Sequence, residues 1–240
     1  MPPALRTPPA PHWPPNTPKP ARRRRPPPSS PATGRGEPIR LCLAAAGVDF
    51  VDAVVDREAM KTDRSMYPFG QCPRYADAEV DLCQSNAIVR HLGRKHGLTG
   101  ASLAEQAAVD ELIEAVEAIK GKYLALIYQD GLSDEAKAKY WTAHCDASTV
   151  AARNGGAHFT FVSDFVARGP GVFAVGGALT VADVMLFDII DMHLRIFPED
   201  FPAAFPTMAA LHAAVAAVPG VAAYLASGRR AEQQNGVALG

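Results

Sequence analysis

The sequence predicts a small α/β domain followed by an all-helical domain. Short strand-like and helical runs alternate between residues 38 and 97, and from residue 102 onward the apolar spacing is helical only. A third pattern sets where the fold begins. Thirteen of the 21 prolines fall within the first 31 residues. Such sequence cannot bury enough apolar surface to offset its ordering entropy. The expected layout is therefore a disordered Pro/Arg-rich segment over 1–31, an α/β domain over 32–98, a helical domain over 102–230 and a flexible tail over 231–240.

Each element has a local reason. Ile39, Leu41 and Leu43 mark a helix over 38–46, and Gly47 is a suitable stop. The alternation of Phe50 and Val54 against Val51 and Val55 predicts a strand over 48–55. Residues 56–66 are polar and irregular. Residues 74–75 and 80–83 read as two short strands around the turn residues Asp77–Glu79, and 84–95 reads as a helix closed by Gly97. The segment 103–128 is one long helix, with Val109, Leu112, Ile113, Val116, Ile119 and Tyr123 on a stripe. Further helices are expected over 133–153, 160–167, 184–197, 205–218 and 221–226. Thr180 and Asp183 form a capping box before the helix at 184, a folding device.

Composition narrows the function. A net charge of −1 hides a split. Residues 1–36 hold seven basic and no acidic residues, leaving 17 basic against 25 acidic in the remainder. The run Arg22–Arg25 has only Trp13 as an aromatic companion in that tail, so nucleic-acid readout is not expected. Cys42, Cys72, Cys83 and Cys145 lack CxxC or metal-ligand spacing, so no metal is expected. They fit a reducing, cytoplasmic setting. No apolar run is long enough to predict a membrane span.

The residues that carry chemistry lie around the two short strands. The first segment is Pro68-Phe69-Gly70-Gln71-Cys72-Pro73-Arg74-Tyr75; Gln84-Ser85-Asn86-Ala87-Ile88 follows the second strand. An X-Pro bond between short elements is where a cis peptide is tolerated. A cis Cys72–Pro73 bond would turn the Cys72 backbone outward, where it could pair with an extended peptide. Gln84-Ser85 sits where strand gives way to helix. The free N–H groups and partial positive charge of a helix N-terminus suit a carboxylate.

These motifs, with Ile88-Val89-Arg90-His91-Leu92-Gly93-Arg94 and the Thr180–Asp183 box, occur in the order found in the cytosolic glutathione transferases. The chain resembles that family over about residues 34–230, and the pi and sigma subclasses most. The resemblance implies a thioredoxin-like domain that binds glutathione, then a helical domain, in a homodimer acting on small hydrophobic electrophiles. It implies a glutathione site of Arg35, Arg64, Gln71, Cys72, Pro73, Gln84 and Ser85. Tyr128 matches an electrophile-pocket tyrosine. Arg64 stands where many relatives place a lysine that meets the glycyl carboxylate, and Met60 replaces a ligand-contacting tryptophan. Ala118 replaces an acid that relatives lend to the neighbouring subunit's glutathione, with Glu114 and Glu117 nearby.

The resemblance breaks at the first strand. Pi- and sigma-like relatives end it with a tyrosine whose hydroxyl stabilises the glutathione thiolate. Here no tyrosine precedes Tyr67, and Arg24-Arg25-Pro26-Pro27-Pro28 replaces the apolar strand. Prolines cannot donate to a sheet ladder. The first strand is therefore expected to be missing or disrupted. Ser29 or Ser30 falls at the catalytic position. Two readings follow: a transferase with altered thiolate stabilisation, or a non-catalytic module for glutathione binding or dimerisation.

Overall fold

Proline and glycine punctuation decides where the chain enters and leaves its first helix. The computed structural model of the protein describes residues 34–150 and 158–231. A 3₁₀ turn, Gly34–Gly36, runs into α1 (Glu37–Ala45). Pro38 sits in the first turn, where the missing N–H costs nothing. Gly47, at φ +67°, turns the chain away after the helix.

The strand expected over 48–55 does not form; residues 48–56 are irregular. A strand needs a partner ladder, and none is present among the described residues. Phe50 packs on the Tyr224 ring and lies under the Arg229 guanidinium, while Val51 and Val54 face solvent. Next comes α2 (Arg57–Thr62), where irregular chain was expected. Asp56 caps it, accepting from the Glu58 and Ala59 N–H groups.

Strands β1 (Arg74–Ala76) and β2 (Asp81–Cys83) pair antiparallel, with Arg74 opposite Cys83 and Ala76 opposite Asp81. Asp77 closes their turn by accepting from the N–H groups of Glu79 and Val80. Helix α3 (Ser85–His96) follows and ends on Gly97 at φ +71°.

The helical domain opens with α4 (Leu103–Tyr128), started by a Ser102–Glu105 capping box. Then come α5 (Asp134–His144), a 3₁₀ turn Ala147–Thr149, α6 (His158–Ala167), α7 (Val181–Ile196), α8 (Asp200–Ala204), α9 (Pro206–Ala216) and α10 (Pro219–Ala226). The helix expected over 133–153 stops at His144. Asp146 then accepts the Ser148 N–H, a local bond that competes with helix continuation. The end of that expected helix, residues 151–153, lies outside the described residues. Among the described residues no single helix is long and apolar enough to cross a membrane.

Helix α7 is the axis of the core: Val181 through Ile190 are all buried. It packs against α1, α3, α4, α8 and α9. Its polar residues are matched. The Asp183 carboxylate accepts from the Thr180 N–H and hydroxyl and from the Ala174 N–H. Asp188 pairs with Lys120 of α4 at 2.7 Å. His193 donates from Nδ1 to the Ile189 carbonyl and accepts the Tyr140 hydroxyl at Nε2. Burial pushes the His193 imidazole down to about 3, so it stays neutral.

Helix α1 joins the two regions, packing on α3 on one side and on α7 and α10 on the other. Gly220 allows this approach, because a Cβ there would lie 1.9 Å from the Ala44 carbonyl oxygen. The fully buried Glu37 accepts from Arg230 Nε at 2.8 Å and from the Tyr224 hydroxyl at 3.1 Å. The other face of the Arg230 guanidinium meets Asp191 of α7 at 2.8 Å.

Removing Arg230 takes a guanidinium partner from both carboxylates at once. Arg230→Ala should destabilise the fold by about 3 kcal/mol at neutral pH, measured by urea denaturation. Burial opposes ionisation of Asp191, but the hydrogen bond to His212 and the charges of Arg230 and Arg195 outweigh it and hold its carboxyl below the usual range. A depressed carboxyl stabilises the fold above the unfolded value, near about 4, and loses that contribution as pH falls. The Arg230→Ala deficit should therefore shrink as the pH is lowered through the acid range.

Candidate functional site

The β1–β2 register brings two separated segments to one end of the sheet. Because Arg74 pairs with Cys83, Cys72–Pro73 and Gln84–Ser85 leave the same end of the ladder. Arg74 also chelates Asp81 through two guanidinium nitrogens, which fixes that register. The Cys72–Pro73 peptide is cis. Among the described residues the Cys72 N–H and C=O take part in no backbone hydrogen bond. Gln71 and Cys72 are exposed beside them.

Gln84 has φ +75° and ψ 107°, a conformation that costs a non-glycine residue about 1–3 kcal/mol. Its side chain does not cap α3. The first N–H groups of α3 thus start from a strained, exposed position with no side-chain acceptor over them. Ser85 is the first residue of that helix and is half-buried. This end of the sheet offers backbone donors, a hydroxyl and a partial positive charge, a set suited to a carboxylate on an extended peptide.

Arg64 approaches the same segment. Asp63 orders the loop by accepting from the Ser65 hydroxyl and from the Ser65 and Met66 N–H groups. Those bonds, the Ser65 hydroxyl first, hold the Asp63 carboxyl below its usual range. The Arg64 head then lies over Gly70, where a Cβ would meet Nη1 at 2.8 Å. Gly70, at φ +63°, leaves that space. Arg64 is exposed and makes no ion pair among the described residues. Met60 lies half-buried on α2.

Arg35 and Tyr128 meet at a second place. A cleft of about 190 Å³ is lined by Arg35, Lys120, Tyr123, Ile127, Tyr128 and Met192, among others. Tyr128 is 56% exposed at its mouth, which makes it a wall rather than a core residue. Arg35 is held by Glu117 of α4 at 2.7 Å. Sequence reading noted Glu117 near the empty acid position at Ala118 but did not foresee this pairing. Glu114 is likewise engaged within the chain, by Arg90. Lys120 and Met192 were missed as cleft residues. A signal for Lys120 existed: it falls on the apolar stripe of α4, as Asp188 does on α7, and a charge at such a place calls for a partner. Ser29 and Ser30 lie outside the described residues.

Known proteins resemble this chain in sequence and fold. A family model described as "Glutathione S-transferase, C-terminal domain" matches residues 128–228. Glutathione S-transferase P of Pongo abelii is 32% identical over 202 residues, covering 82% of this chain and 89% of that protein. The chain belongs to the glutathione S-transferase family. Glutathione S-transferase P 1 of Xenopus laevis is also 32% identical, with coverage of 83% and 91%. Among solved structures, the pi-class glutathione S-transferase of Onchocerca volvulus superposes with a TM-score of 0.72, covering 88% of this chain and 96% of that one at 24% identity. As in that transferase fold, a thioredoxin-like amino-terminal domain precedes a helical one. No tyrosine precedes Tyr67 in this family member.

Gln84 offers a test in which fold and site separate. Gln84→Gly should relieve the positive φ and raise stability by about 1 kcal/mol, read from the denaturation midpoint. The same change should weaken retention on immobilised glutathione, because it loosens the start of α3. Equal loss of both would mean that the strain serves the fold rather than the site.

Proposed function

We propose that this protein binds glutathione at the end of the β1–β2 sheet and conjugates it to small hydrophobic electrophiles held at the Tyr128 cleft. The observation that carries the reading is the convergence of the Cys72 backbone, unpaired among the described residues, with the α3 N-terminus, which has no side-chain cap. In this reading the Cys72 N–H and C=O pair with the cysteinyl backbone of glutathione, next to the cis Pro73. Ser85 and the first N–H groups of α3 take the γ-glutamyl carboxylate, with Gln84 presenting them and Gln71 beside the peptide. Arg64 takes the glycyl carboxylate, which its fork of donors suits. Arg35, anchored on Glu117, lines the Tyr128 cleft.

The reaction needs a thiolate. A free thiol has a pKa near about 8.5, so a donor beside the sulfur is required to favour the charged form at neutral pH. The sulfur then bonds to the electrophilic carbon, and a leaving group such as chloride departs with the electron pair. The positions that match the donor are Ser29 or Ser30; no family tyrosine stands there. A second reading follows from that replacement: a non-catalytic module that binds glutathione or dimerises. We further propose a homodimer, a cytoplasmic setting and a domain junction near residues 98–102. Metal, membrane and nucleic acid have no part in the proposal.

Retention on immobilised glutathione, combined with turnover of a chloro-nitro aromatic, separates the readings. Conjugation is expected to give both. Retention alone supports the binding module, and a folded protein with neither overturns the glutathione reading. Ser85→Trp should reduce glutathione affinity at least tenfold by titration calorimetry, with unfolding little changed. Unaltered affinity would mean that the carboxylate sits elsewhere.

A further inference from the structure

A second group of side chains lies on the other face of α4. His144 is the last residue of α5, and His158 is the first of α6. Their Nδ1 atoms are 3.1 Å apart, and their rings meet edge-on, centroids 4.9 Å apart. His144 also lines an open cavity of about 390 Å³, whose walls include Lys122, Asp130, Glu135, Lys139 and Tyr140. Neither imidazole belongs to the glutathione site or to the Tyr128 cleft.

We propose that His144 and His158 form a two-histidine site for a divalent transition metal of the imidazole-preferring class: zinc, copper, nickel or cobalt. The spacing suits this. With metal–nitrogen bonds of about 2.0–2.1 Å, two ligand nitrogens stand about 2.9 Å apart at a right angle and about 3.3 Å apart at a tetrahedral angle. The observed separation falls between those limits. The two Nδ1 atoms already face each other, and turning the rings about their side-chain torsions would direct both lone pairs to one point beside the Nδ1–Nδ1 line.

A ligating imidazole must be neutral. The contact between the two Nδ1 atoms already requires at least one of them to accept through a free lone pair. Lys122 lines the same cavity and repels a bound cation. Without metal, one Nδ1–H donates to the other Nδ1. On binding, that proton moves to Nε2 of its own ring, so both rings stay neutral and no proton is released. Among the described residues no set of three or more His, Cys, Asp or Glu side chains converges, so the remaining positions fall to water or to an oxygen ligand entering from the cavity. A metal here would tie the end of α5 to the start of α6.

Titration of the full chain with nickel(II) chloride tests the site, because nickel favours imidazole nitrogen. One equivalent should bind and raise the unfolding temperature. His144→Gln and His158→Gln should each weaken binding at least tenfold, while His96→Gln leaves it unchanged. Should either variant fail to fold, the wild-type chain with one equivalent of copper(II) should give a paramagnetic resonance spectrum split by two nitrogens. Undiminished nickel binding in both variants, no nickel-dependent shift in the wild type, or a copper spectrum without nitrogen splitting would each overturn the proposal.

Discussion

The burial of α7 is the constraint on which the rest of the structure depends. A helix sunk in the core over its first ten residues must bring each polar side chain to a partner, since an unpaired one costs about 1–3 kcal/mol or more. Each solution then fixes another element. Asp183 holds the turn at Ala174, Asp188 positions Lys120 on α4, and His193 fixes Tyr140 on α5. Asp191, at the edge of the buried stretch, reaches Arg230 and through it Glu37 at the start of α1. The burial of one apolar helix thus sets the positions of α1, α4 and α5.

That chain of partners also positions the site. α1 is clamped between α3 on one side and α7 with α10 on the other. Clamping α1 steadies α3, and α3 carries the uncapped N-terminus at Ser85. Clamping α4 through Lys120 steadies Tyr128 one helical stretch further on. The strained backbone at Gln84 is affordable only because β2 and α3 hold it from both ends.

Much of this was legible in the sequence because the signals were local. The long stripe of α4, the Thr180–Asp183 box, the Asp77 turn and Gly97 each act within one or two helical turns, and each formed as expected. The site motifs were legible for a related reason: Gln71-x-Pro73 and Gln84-Ser85 flank strands only three residues long, so their spacing limits their geometry. The strand expected over 48–55 failed because alternation is only half of a strand. Pairing is the other half, and Phe50 found Tyr224 and Arg229 instead. The helix expected to run to residue 153 failed because a single side-chain bond at Asp146 competed with it.

The sequence by itself determined the succession of an α/β region and a helical one, the helix ends set by caps and glycines, and the family, because capping, turn chemistry and apolar period are short-range. The tertiary structure alone decided which distant side chains share a space. Glu117 with Arg35, Lys120 with Asp188, Arg230 between Glu37 and Asp191, and His144 against His158 are separated by 14 to 193 residues. No local pattern encodes such pairs, because each exists only once tertiary packing brings two distant segments together.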